Sequence, residues 1–130
     1  MPLRFPNRQA TLWRLDPLAR QAFVCEAELT LPRDTDPAAV GAAVTAALCG
    51  DWEHQGPCRW PHNSHIEPEG DAFAFKTVFV ADIVEGADIQ KRIGDALRGQ
   101  EGWTVRRMTG RAVAPSEEPL AQRLARLGEL

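Results

Sequence analysis

Residues 22–31, AFVCEAELTL, put Phe23, Cys25, Ala27, Leu29 and Leu31 on one side of an extended chain and Val24, Glu26, Glu28 and Thr30 on the other. This is a half-buried strand, apolar towards a core and charged towards water. Pro32 ends it, and Asp34-Thr35-Asp36-Pro37 supplies candidate caps for a helix running to about Leu48. In that helix Val40, Ala43, Val44, Ala47 and Leu48 form one apolar stripe, and Gly50 is a natural stop.

The second half repeats the alternation. Residues 72–80, AFAFKTVFV, read as a strand with Phe73, Phe75, Thr77 and Phe79 on its core side. Residues 87–98 place Ile89, Ile93, Ala96 and Leu97 on one helical face before Gly99, and Trp103 to Met108 form a last strand. A terminal helix from Ser116 carries the seam Leu120, Leu124 and Leu127. Residues 11–15, TLWRL, either pair with the first strand as a hairpin or lead into it.

With a short extended piece from Cys58 to Ile66, the order becomes β-α-β-β-α-β-α. The expected fold is therefore α+β: a ferredoxin-like split βαβ sandwich, an antiparallel sheet with helices on one face, plus an extra C-terminal helix. That topology puts the first strand between the third and fourth, with Glu26 and Glu28 beside Lys76 on one flank and Arg106 on the other. The second strand falls at an edge, where Pro61 removes no needed hydrogen bond. The terminal helix is expected to pack back on its own sheet.

At 130 residues, with 44% hydrophobic and 25% charged side chains, the chain fits one globular domain spanning 1–130. A net charge of −3 argues against nucleic acid and anionic lipid as partners. RNA-recognition domains share the element order. Exposing Phe23, Phe73 and Phe75 for base stacking, however, would turn Glu26, Glu28 and Lys76 into the core. No apolar run approaches a membrane span, and MPLRFPNRQA lacks a signal-peptide core, which suggests a cytoplasmic protein. Three cysteines are an odd count, so reduced thiols are expected.

The chemistry-bearing residues crowd into CGDWEHQGPCRWPHNSH, residues 49–65, which holds all three histidines and two of the three cysteines. Cys58, His54, His62 and His65 are candidate ligands for zinc, although the spacing matches neither a paired Cys knuckle nor a His-Glu-x-x-His helix. Arg59, Trp60 and Asn63 are candidate contacts for a small-molecule ligand, with Arg59 as a fork for an anion and Trp60 as a stacking wall. A Cys58–His62 catalytic pair would need a tight turn, because four strand rises separate them by roughly 13 Å. No carboxylate pair or nucleotide-binding loop is present, and no catalytic residue is assigned.

The best reading at this level is a small-ligand- or metal-binding protein using residues 49–67. A homodimeric interaction module without chemistry and a Cys/His-dependent enzyme are the alternatives. The dimer would form through the open sheet face carrying Ala22, Val24, Thr30, Val78, Val80 and Met108.

Overall fold

A computed structural model describes residues 19–49 and 59–127. Residues 11–15, read as either a hairpin partner of the first strand or a lead-in to it, lie outside them, as do His54 and Cys58. Strands β1 (Arg20–Thr30), β2 (His62–Glu69), β3 (Ala72–Asp82) and β4 (Thr104–Arg111) form one antiparallel sheet in the order β2-β3-β1-β4. Helix α1 (Ala38–Cys49) joins β1 to β2, α2 (Gly86–Arg98) joins β3 to β4, and α3 (Glu118–Leu127) follows β4. The first strand lies between the third and fourth and the second at an edge, the order expected above.

One face carries the main core. Cys25, Ala27 and Leu29 of β1 and Phe75 and Phe79 of β3 pack against α1 through Val40, Val44 and Leu48. Ile89, Ile93 and Leu97 of α2 close the same layer. Each such aliphatic or aromatic side chain removed from water contributes roughly 1.5–3 kcal/mol. Trp103 seals the end and donates its indole N–H to the Leu97 carbonyl at 3.0 Å. Phe23 stacks on Phe79 with ring centroids 5.3 Å apart, and α2 begins so close to that pair that a Cβ on Gly86 would fall 2.7 Å from the Phe23 ring.

The other face is covered by α3. Val24, Val78 and Val80 are buried under Ala121 and Leu124, so part of the surface suggested for a dimer is occupied by the chain's own helix. The stripe that packs differs from the expected leucine seam: Leu120 is half-buried and Leu127 is exposed. Glu117, in the turn Pro115–Glu117 that leads into α3, explains the rotation. It is 5% exposed and accepts bonds from Lys76 Nζ at 2.8 Å, from both terminal nitrogens of Arg111 at 2.7 Å, and from the Ala114 N–H at 2.8 Å. Glu117, Ala121 and Leu124 follow at i, i+4 and i+7, so anchoring the carboxylate turns that stripe towards the sheet.

The charges facing α3's side of the sheet are paired, with one correction. Glu26 lies opposite Lys76 as expected, but the other flank is held by Arg107, 3.4 Å from Glu28, and by Arg111, 2.9 Å from Glu26. Arg106 reaches Asp71 instead, at 3.6 Å. A register shift between Glu28 and Leu29 sets Arg107 opposite Glu28 and Val105 opposite Leu29, leaving Arg106 as the extra residue. The shift reverses the parity beyond it, so Met108 packs against the helix-covered core and not on the open face.

The guanidinium of Arg111 holds the Glu117 carboxyl well below its ordinary value of 4.5, against the opposing effect of burial. Because the folded-state value is depressed, its stabilisation is complete above pH 4.5 and is lost as the pH falls towards the folded value. Glu117→Gln is expected to lower stability by about 2 kcal/mol at neutral pH, a hydrogen-bonded charge lost beneath a single helix. The same variant should flatten the acid limb of the stability curve, which urea titrations between pH 7 and pH 3 would measure.

Candidate functional site

Alternation along β2 decides what the histidine-rich segment presents. His62, Ser64 and Ile66 are half-buried, whereas Asn63, His65 and Glu67 are exposed. The first set faces α1, because His62 Nε2 lies 3.1 Å from Thr45 Oγ1 and a Cβ on Gly41 would sit 3.5 Å from Ser64 Cβ. The two described histidines of the proposed zinc set therefore lie on opposite faces of one strand. Among the described residues no group of three His, Cys, Asp or Glu is placed to hold a metal ion. His54 and Cys58 lie outside those residues.

His62 is fully engaged. Its Nδ1 lies 3.1 Å from the Trp60 carbonyl, which can only accept, so Nδ1 carries the proton and Nε2 accepts from the Thr45 hydroxyl. Burial lowers its pKa from 6.5, with the Trp60 carbonyl opposing that fall. The ring is a neutral wall. Ser64 bonds to the buried Thr77 hydroxyl at 2.9 Å, not to an imidazole, and two strand rises (about 7 Å) separate it from His62. Among the described residues the Ser64 hydroxyl is bonded to Thr77 and to no base.

The two ends of the segment differ. Arg59 Nη2 donates to Glu85 Oε2 at 2.8 Å, and the Trp60 indole N–H donates to the other oxygen of Glu85 at 3.3 Å. The guanidiniums of Arg92 and Arg59 lie 4.7 and 5.1 Å from the Trp60 ring centroid. Arg59 and Trp60 thus belong to one cluster with Glu85 and Arg92, in which the Arg59 side chain stays 67% exposed. Asn63 lies apart from them, at the rim of a groove.

That groove contains several of the residues the sequence pointed to, His62, Asn63 and His65 among them. Its volume is about 360 Å³, and it runs between α1 and β2 with Phe75 beneath it. One wall is Ala38, Gly41, Ala42 and Thr45; the other is β2 from His62 to Ile66. The α1 wall follows from the sequence: these four positions recur at i, i+3, i+4 and i+7, beside the Val40, Val44 and Leu48 stripe that enters the core. Asp36 fixes where the helix starts by accepting the Ala38 N–H at 2.9 Å. The small-residue stripe was available in the sequence as a signal; the partnership of Glu85 and Arg92 with Trp60 was not, because it joins separate elements.

Cys25 is free and buried, and burial pushes its thiol up to about 11, which removes it as a nucleophile at neutral pH. Cys49, at the end of α1, is disulfide-bonded, which corrects the expectation of reduced thiols throughout. An odd cysteine count leaves one thiol over but does not keep the others apart. No protein-family model matches the chain, and no curated protein is found similar to it.

In NMR titration His62 should gain its proton only below pH 6.5. Its depressed folded-state value means the stability tied to the neutral ring is present above 6.5 and falls as pH drops. Alkylation mapped by mass spectrometry should find Cys49 protected until a reductant is added and Cys25 protected until the chain unfolds.

Proposed function

We propose that this is a small-ligand-binding protein whose site is the groove between α1 and β2, on a ferredoxin-like split βαβ sandwich extended by α3. The observation that carries this reading is the groove itself. Its volume of about 360 Å³ lies within the range of small-molecule sites, its α1 wall is built of small residues, no Asp, Glu, Lys or Arg lines it among the described residues, and Thr45, His62 and Ser64 are held in orientation by hydrogen bonds. The ligand it suits is small and uncharged, lying along the trough between the small-residue stripe of α1 and β2.

The alternatives have less support. A zinc site would draw on donors of which the two described face opposite ways, and a Cys/His enzyme would need a base beside a reactive thiol. A homodimer through the open sheet face would have to displace α3 or use the charged remainder. No described helix is long and apolar enough to cross a membrane. The disulfide at Cys49 favours an oxidising setting over the cytoplasm suggested by the cysteine count.

A fragment screen by NMR on the labelled chain tests the reading. Binders are expected to shift Thr45, His62, Ile66 and Phe75 together. Gly41→Val, which fills the groove while keeping the helix, is expected to weaken them at least tenfold. Fragments that bind elsewhere, or bind equally well to Gly41→Val, would refute the site.

A further inference from the structure

We infer that the occupant of this groove is an extended peptide segment that adds as a fifth strand to the outer edge of β2; the inference rests on the groove being the binding site. The hydrogen-bond parity of the edge leads to it. Val80 N–H donates to the Pro61 carbonyl at 2.9 Å, and the β2–β3 register runs unbroken from His62 opposite Phe79 to Glu69 opposite Ala72. In an antiparallel pair the backbone groups alternate between facing the partner and facing away. Pro61, Asn63, His65 and Glu67 therefore turn their backbone towards β3, and His62, Ser64 and Ile66 turn theirs outwards.

Those outward residues are the same three whose side chains face α1. Among the described residues no strand pairs with that edge. The edge thus offers three N–H and three C=O groups directly beside the groove. Pro68 shares their parity and has no N–H, so it ends the run of donors. Main-chain bonds from the edge and a helix-walled trough for alternate side chains are the two components of recognition by strand addition.

The walls define the peptide's chemistry. Side chains opposite Gly41 and Ala42 must be small and uncharged, because the helix approaches Ser64 closely there. On the face of β2 turned away from α1 the far end of the strand is acidic, with Glu67 and Glu69 both exposed. Arg106 lies 3.6 Å from Asp71 in the turn that follows, and His65 Nε2 lies 3.5 Å from Glu67. A lysine or arginine in the peptide would complement that acidic end. The fitting partner is an extended segment with small residues at alternate positions and a basic residue at the Glu67 end.

The test is a phage-displayed random heptapeptide library panned on the full chain, followed by NMR with the synthesised hits. Selected peptides should carry the basic residue and shift the amides of His62, Ser64 and Ile66 more than those of Asn63 and His65. Ser64→Pro removes one outward N–H and is expected to weaken peptides at least tenfold. N-methylation of alternate peptide nitrogens should weaken binding equally, with no change to the protein. Fragment binding in the groove, with no peptide contacting the edge amides, would overturn strand addition and leave the groove reading intact. A groove that takes neither would overturn both.

Discussion

Strand β3 is the constraint on which the rest depends. It pairs with β1 on one side and β2 on the other, and from Thr77 to Ala81 it is buried on both faces. Phe75 and Phe79 enter the core under α1 and α2, while Val78 and Val80 lie under α3. A slip of one residue against either neighbour would exchange these sets and drive Lys76 into the apolar core, at a cost of several kcal/mol for an unpaired buried charge. The register of β2 is therefore inherited, and with it the choice of which histidine faces α1 and which faces water.

The two faces of the sheet are held by different physics. The α1/α2 side is chiefly apolar burial, summed over many contacts, with the half-buried His62 ring at its edge. The α3 side has a smaller apolar contact and depends on one carboxylate, Glu117, which gathers Lys76 and Arg111 and through Arg111 reaches Glu26. A charge this well enclosed is stabilising only while every partner is present. It specifies the rotation of α3 in a way that a uniform leucine seam would not, and it explains why Leu127 is left exposed.

Much of this was legible from periodicity. The two-faced pattern of β1, the Phe-rich face of β3 and the apolar stripes of α1 and α2 each match a simple repeat, and the register of Glu26 opposite Lys76 agrees with the expected topology, although the Lys76 ammonium bonds to Glu117. The side of β4 was not, because a bulge has no signature in the alternation of Trp103 to Met108, and one extra residue moved the pairing from Arg106 to Arg107. The edge proline also differed: Pro61 lies on the β3 side of the chain and gives up a ladder donation, while Pro68 is the proline whose missing N–H faces outwards. For the site, sequence proximity of His62 and His65 suggested cooperation that strand alternation denies. The groove wall came from α1, where small residues had passed as unremarkable helix formers.

The candidate site thus rests on one claim about backbone direction, that β2 is an open edge whose outward groups share a side with the groove. Native-state hydrogen exchange on the free protein reads this directly. Asn63, His65 and Glu67, bonded to β3, are expected to be protected, and His62, Ser64 and Ile66 to exchange far faster, in strict alternation. Protection of all six, or protection in the opposite phase, would mean that the edge is already occupied or the register is wrong, and the proposed site would fall with it.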